Sequence, residues 1–183
     1  EVKISTGADD AEESGAGAMY LDSSDLELVF DYWNGSAEQV VGLRFNGVGV
    51  PQGATITAAS VRFRVDESSA DATALVIRGH DADDAQAFST TAGDLSSRPK
   101  TAAQVSWAPG AWLTPGLDQE TPDLSPVLQE IVDRGGWTSG NSVVLVLTGT
   151  GRRVAESYEG SAAGAALLHL EFAPPSRGAP RGR

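Results

Sequence analysis

The last third of the chain decides the fold: it reads TPDLSPVLQEIVDRGGW (121–137), NSVVLVLTG (141–149), RRVAESYEG (152–160) and ALLHLEF (166–172). The second and fourth segments are wholly apolar or alternate apolar with polar residues. This is typical of strands that are buried on both faces or on one. The third segment indicates a charged turn between them. One helix-like segment among strands predicts an all-β fold that contains a single helix.

The first of these segments has the spacing of an amphipathic helix, with apolar residues at intervals of three and four. Pro126 falls in its first turn, and Gly135 and Gly136 stop it. We predict one short helix around residues 124–134, capped by Asp123 or Ser125. Its apolar positions are Leu124, Val127, Leu128, Ile131 and Val132.

Alternation of apolar and polar residues predicts further strands upstream, most regularly from Val61 to Asp66. Residues 85–103 lack a period and predict a long loop, followed by a short strand at 104–107. The other predicted strands cover residues 2–4, 19–21, 26–30, 39–45 and 75–80.

The length of 183 residues fits one undivided all-β domain. We predict a single, jelly-roll-like β-sandwich over residues 1–172. Residues 173–183 combine prolines with arginines and predict a flexible tail or linker.

Composition excludes several classes of function. The formal net charge of −12 argues against binding to nucleic acid or to anionic membranes, which require a basic face. The chain has no cysteine, so it has neither a thiol nucleophile nor a cysteine-based zinc site. The longest apolar run, Val143 to Leu147, is too short to span a bilayer. The chain begins at Glu1, as a processed product would, and we expect an exported protein.

Carboxylates are concentrated near the N-terminus, where Asp9 to Glu13 and Asp22 to Asp25 would be neighbours if the first strands pair. Hard oxygen ligands in this number suit Ca²⁺. The alternative is a solvated acidic face, since no EF-hand spacing is present. Glu156 joins the candidate ligands if its turn reaches the same end of the sandwich. The predicted calcium ligands are Asp9, Asp10, Glu12, Glu13, Asp22, Asp25 and Glu156.

Two adjacent aromatics, Tyr32 and Trp33, fall in a predicted turn that ends in Asn34–Gly35. An exposed aromatic face packs against the C–H face of a sugar ring, so these residues are the candidate carbohydrate-binding platform. The alternative is that both pack into the core. Trp107, Trp112 and Trp137 are the other aromatic candidates, and we expect Trp107 and Trp137 in the core.

Catalysis has little support in the sequence. The two histidines, His80 and His169, belong to no metal-binding or catalytic spacing motif, and no G-x-S-x-G elbow occurs. Acidic pairs are common in so acidic a chain and none is singled out as a glycosidase pair. We therefore predict that the chain is not an enzyme.

The order of elements between Val40 and Phe172 carries a resemblance. The chain resembles the DNRLRE-type module, a secreted bacterial β-sandwich that is similar to carbohydrate-binding modules. Arg44–Phe45 is the nearest remnant of the motif that names the family. The segments that carry the resemblance are VGLRFNGVGVPQGATITAASVRFRVDE (41–67), ATALVIRGHD (72–81), VSWAP (105–109), DLSPVLQEIV (123–132), GNSVVLVLTG (140–149) and VAESYEG with ALLHLEF (154–160, 166–172).

The resemblance implies a non-catalytic module that is attached to a hydrolase, lyase, phosphatase or adhesin. We expect an extracellular module that binds a polysaccharide or cell-surface glycan and is stabilised by Ca²⁺. A structural subunit of a surface layer, adhesin or filament is the alternative, and it would self-associate through an edge strand or the N-terminal segment. A free-standing enzyme acting on carbohydrate or phosphate esters is the third possibility.

Overall fold

A computed structural model describes residues 1–33 and 37–175, and these form the predicted all-β sandwich. Asn34 and Gly35 of the predicted turn, and the predicted tail beyond Pro175, lie outside these ranges. The strands are β1 (Val2–Lys3), β2 (Asp10–Glu13), β3 (Met19–Tyr20), β4 (Asp25–Glu27), β5 (Phe30–Asp31), β6 (Ala37–Glu38), β7 (Val40–Phe45), β8 (Thr55–Arg64), β9 (Ala74–His80), β10 (Lys100–Trp107), β11 (Asp118–Glu120), β12 (Val143–Thr150), β13 (Val154–Glu156) and β14 (Leu167–Ala173). The α-helices are α1 (Asp94–Ser97) and α2 (Ser125–Val132).

Two antiparallel sheets form the layers. One has the order β1-β14-β8-β11 and the other the order β10-β9-β12-β7-β2-β3. Two short pairs, β13 with β4 and β5 with β6, lie outside these sheets. Strand β8 buries Val61 and Phe63 and exposes Arg62 and Arg64, as its alternation predicts. The inner faces of both sheets contribute side chains to one continuous core.

The predicted amphipathic helix is confirmed as α2. It packs against the core beside β8, β9 and β10. The predicted cap is wrong, because Leu124 is the N-cap residue and makes no side-chain capping bond. The Asp123 carboxylate accepts a hydrogen bond from the backbone N–H of Ser125 at 3.0 Å, just before the helix. The helix approaches β9 closely at Gly79. A Cβ there would lie 2.6 Å from Cδ1 of Ile131, so a larger residue at this position would push the helix away.

The predicted loop over residues 85–103 is wrong in part, because it contains α1 and the first residues of β10. This segment covers the outer face of the six-stranded sheet, where Phe88 and Leu95 form a second apolar cluster with Val144 and Val146. Strand β12 is therefore buried on both faces, which explains its unbroken apolar run. Gly42 leaves room for the cover, since a Cβ there would meet Leu95 at 2.4 Å.

Strand β14 ends at Ala173, one residue beyond the predicted boundary of the sandwich. None of the helices in the described ranges has the length and apolarity needed to cross a membrane.

Candidate functional site

The acidic stretch that predicted a calcium site is instead a buried strand. All four residues of β2 are at most 3% exposed, because β2 pairs with β7 on one side and with β3 on the other. Side chains alternate along a strand, so Asp10 and Glu12 point to one face of the sheet and Glu13 to the other. This alternation separates carboxylates that are neighbours in the sequence.

Asp9 and Glu13 both accept hydrogen bonds from donors within the domain. Asp9 accepts hydrogen bonds from Arg44 at 2.6 Å and from Asn46 at 2.8 Å. Glu13 accepts the backbone N–H groups of Leu95 and Ser96, at 2.7 and 2.9 Å, at the start of α1. Both carboxylates therefore serve as internal acceptors that join the N-terminal segment to the rest of the domain.

Asp10 points toward the turn at Tyr158, and Glu12 points toward β4. The Asp10 carboxylate accepts the backbone N–H of Tyr158 at 2.8 Å, and burial raises its pKa to about 7. Glu12 accepts the N–H of Glu27 at 2.8 Å and the amide of Gln39 at 2.7 Å. Burial and the nearby Glu27 carboxylate raise the pKa of Glu12, and burial raises that of Glu27 as well.

The predicted grouping of carboxylates is thus not found within the described ranges. Asp22 is exposed in a turn and joins none of the β2 side chains in a cluster. The physical reason is that each acid of β2 is bound to a different backbone or side-chain donor. Nothing in the sequence distinguishes a buried acidic strand from a solvated acidic run.

A different acidic cluster forms around Asp25. One carboxylate oxygen from each of Asp25, Asp66 and Glu67 lies within 4.8 Å of the others, and no second group of this kind occurs in the part of the chain that the structure describes. Asp66 follows β8, which the bridge between Val65 and Ala155 brings beside the β4–β13 pair. In the sequence, Asp66 ends a predicted strand, and nothing in the pattern connects it with Asp25.

Glu156 lies beside this acidic triad, but in strand β13 and not in the predicted turn. It is the register partner of Asp25 in the β13–β4 pair. Burial, Asp66 and Asp25 raise the pKa of Glu156, while burial, Asp66 and Glu67 raise that of Asp25. The mutual repulsion of these carboxylates is the condition that a bound cation relieves.

Arg152 provides positive charge beside the triad. Its guanidinium donates to Glu67 at 2.7 Å and lies 4.0 Å from Glu27. The same guanidinium lies over the ring of Tyr32, 5.5 Å from the ring centroid. Arg152 therefore connects the acidic triad to an aromatic surface.

This aromatic surface consists of Phe30, Tyr32 and Trp33. Tyr32 is 53% exposed and Trp33 is 86% exposed, so neither packs in the core. Phe30 and Tyr32 make an edge-to-face contact with centroids 5.0 Å apart. The Tyr32 hydroxyl donates to Asp71 at 3.4 Å. A shallow depression lies between these groups, lined by Phe30, Tyr32, Asp71, Gly151 and Arg152.

The other tryptophans lie in the core, as expected for Trp107 and Trp137. Trp107, Trp112 and Phe63 form an aromatic cluster with centroid distances of 6.0 to 6.2 Å. Trp137 is 1% exposed and donates its indole N–H to the carbonyl of Val50 at 2.9 Å. In the described part of the chain, Trp33 is thus the one exposed tryptophan.

Two comparisons with known proteins bear on this chain. No protein-family model matches it, and no curated protein matches it.

Proposed function

We propose that the chain is a non-catalytic extracellular module that binds a glycan on the surface formed by Phe30, Tyr32 and Trp33. The observation that carries the proposal is the 86% exposure of Trp33, which follows the half-exposed Tyr32 in the chain. Contiguous exposed aromatics on a monomer mark a binding surface more often than single exposed residues do. The resemblance to secreted modules of the DNRLRE type supports the same conclusion.

The groups around the rings suit a sugar. Aromatic faces pack against the apolar face of a pyranose, and flanking polar groups bind its hydroxyls. Asp71 and Arg152 border the depression beside Tyr32 and provide an acceptor and a donor. The contacts of Tyr32 with Phe30 and Arg152 limit the movement of the platform, which lowers the entropic cost of binding.

Replacing Trp33 with alanine should weaken glycan binding by about tenfold or more, because the ring would lie at the centre of the contact. The melting temperature should not change, since the side chain is exposed. Affinity electrophoresis in gels containing cellulose derivatives, xylan, mannan or chitosan provides the measurement.

Leu113→Ala is the matched control, because Leu113 is also an exposed apolar side chain, at 68%. It should migrate as the wild type does. If the wild type is not retarded in any gel, or if Leu113→Ala loses as much affinity as Trp33→Ala, the glycan proposal is wrong.

We further propose that Ca²⁺ binds at the triad of Asp25, Asp66 and Glu67, with Glu156 beside it. Three carboxylates supply up to six hard oxygen ligands when bidentate, and water completes the shell. Arg152 offsets part of the repulsion among these carboxylates, and a bound cation would offset the remainder. The site borders the aromatic surface, so the ion would stabilise the loops that carry the platform.

Millimolar Ca²⁺ should raise the melting temperature by about 5 °C relative to chelator, because a cation that binds only the native state stabilises it by mass action. Asp25→Asn combined with Asp66→Asn should abolish the shift. Asp22→Asn, a change at an exposed carboxylate outside the triad, should leave it intact. An equal shift with Mg²⁺, or one that persists in the double variant, would contradict the site.

The alternative, a structural subunit that self-associates through an edge strand, has less support than the binding module. Strand β10 is a long edge of the six-stranded sheet. The Glu130 carboxylate of α2 accepts the N–H groups of Ala102 and Ala103 at 2.8 and 2.7 Å. These donors are therefore already used, which disfavours pairing with a second copy.

A further inference from the structure

The outer face of the four-stranded sheet brings three cations together. In the register of the sheet, Lys3 of β1 pairs with Leu167 of β14, and Leu167 pairs with Arg62 of β8. Lys3 and Arg62 therefore lie on the same face of the sheet, one on each side of Leu167. Arg64 lies two residues further along β8, on the same face, opposite Asp118. The side chains surround a small pocket of about 60 Å³, closed on one side by Ala163, Gly164 and Ala165.

Among the residues that line this pocket, positive charges outnumber negative ones. Asp118 is the one carboxylate that lines it, and its contacts are loose, at 3.7 Å from Arg62 and 3.6 Å from Arg64. Within residues 1–33 and 37–175, neither guanidinium donates a hydrogen bond. Lys3 uses one of its three donors on the carbonyl of Ala163, at 2.6 Å.

Some other arginines of the chain are bound closely by carboxylates. Arg44 lies 2.6 Å from Asp9, and Arg98 lies 3.0 Å from Asp94. The lining of the pocket holds three cations and one carboxylate. Two further carboxylates lie outside the lining: Glu120 is opposite Arg62 in the sheet register, and Glu156 interacts with Arg64. Two neighbouring guanidinium groups repel each other, and an anion between them would remove that repulsion.

We infer that Lys3, Arg62 and Arg64 form a binding site for an oxyanion. Guanidinium forks match the oxygen spacing of carboxylate, sulfate and phosphate, and they bind them through paired, charge-assisted hydrogen bonds. The pocket has room for such a group. The oxyanion is either a free inorganic ion or the acidic substituent of a polysaccharide. None of the residues lining this pocket lines the depression beside Tyr32, so the inference does not depend on the proposed glycan platform.

Isothermal titration with inorganic phosphate at constant ionic strength tests the site, and retention on polygalacturonate against neutral dextran distinguishes its two sources. Arg62→Gln and Arg64→Gln should each weaken phosphate binding roughly tenfold, since each removes charged hydrogen bonds. Asp118→Asn should strengthen binding several-fold, because it removes the competing carboxylate. Loss of polygalacturonate retention in the same variants would identify a polysaccharide source, and phosphate binding alone would identify a free ion.

Arg78→Gln is the control for the loss of one positive charge, because Arg78 lies on the other sheet and bonds Gln104. It should bind phosphate as the wild type does, and so should Trp33→Ala. Circular dichroism would check that each variant is folded. The inference is overturned if phosphate does not bind to the wild type, or if Arg78→Gln loses as much affinity as Arg62→Gln.

Discussion

Replacing Arg153 with methionine should lower the free energy of unfolding by about 3 kcal/mol. Arg153 is 2% exposed and donates to the carbonyls of Gly110 at 2.8 Å, Asp71 at 2.9 Å and Pro109 at 3.0 Å. It also donates to the Thr73 hydroxyl at 2.9 Å. The side chain thus joins the loop at 109–110 to the loop at 71–73.

Two effects oppose each other in this substitution. Removing a buried charge eliminates its desolvation cost, which is modest for the weakly hydrated guanidinium. It also leaves the buried Pro109 carbonyl and Thr73 hydroxyl without their donor, at about 1–3 kcal/mol for each group that water cannot reach, and removes the part-buried bonds to Gly110 and Asp71. The second effect is larger because methionine fills the space of the side chain and donates nothing. Urea denaturation at constant pH measures the difference.

Arg134→Met is the matched control. Arg134 binds Asp81 and Asp83 at the surface, where its side chain is 30% exposed. Surface ion pairs contribute about 0–1 kcal/mol, so this variant should be nearly as stable as the wild type. Equal losses of stability for the two variants would show that Arg153 does not hold the loops at 71–73 and 109–110 together.

The second prediction concerns the carboxyl pair of Glu12 and Glu27. The wild-type protein should lose stability as the pH rises from about 6.5 to about 8.5. Burial and its partner raise the pKa of Glu12 in the folded state, from an ordinary value of 4.5. A raised folded-state pKa contributes stability that is complete at low pH and is lost as the pH rises through that pKa. The pKa of His80 is lowered to about 4 by burial and by Arg98 and Lys100, so His80 is neutral throughout this range.

Glu12→Gln should remove much of this loss and exceed the stability of the wild type by about 2 kcal/mol near pH 8.5. The amide oxygen preserves the bonds from the N–H of Glu27 and from Gln39. The amide nitrogen replaces Oε2, a buried atom without a hydrogen-bond partner in the described structure, and can donate to Glu27. Thermal melts at the two pH values give the measurement.

Glu38→Gln is the control, because it removes one negative charge from an exposed position. Its melting temperature should follow that of the wild type at both pH values. A Glu12→Gln variant that is less stable than the wild type near pH 8.5 would mean that the ionised carboxylate is stabilising, and the pair would then need a cation rather than a proton.

Local patterns predicted much of the sandwich. The alternation in β8 and the apolar run in β12 indicated which strands have one buried face and which have two. The spacing of α2 predicted its core-facing side, and its ends were accurate to within two residues. The cover formed by residues 85–99 was missed, because its apolar contacts at Phe88 and Leu95 follow no regular period. Such a segment is ordered by the surface on which it lies.

Part of the candidate site could be predicted from the sequence. Tyr32 and Trp33 were candidates for an exposed platform because they fall in a predicted turn, with packing in the core as the alternative, and the structure places both at the surface. Asp25 was included among the predicted calcium ligands, while its neighbours Asp66 and Glu67 were not. These residues are about forty positions away in the sequence, and only the bridge between Val65 and Ala155 brings the segments together.

The sequence by itself determined the class of fold, because hydrophobic periodicity is a local property that a strand or helix carries wherever it packs. It also determined the charge balance that disfavours nucleic acid as a partner. Only the tertiary structure decided what each acidic residue does. Whether a carboxylate is solvated, buried against an N–H group or grouped with others depends on segments distant in the chain. The residues from Asp9 to Glu13 are therefore buried and bound within the domain, whereas Asp25 lies close to two carboxylates of the loop after β8.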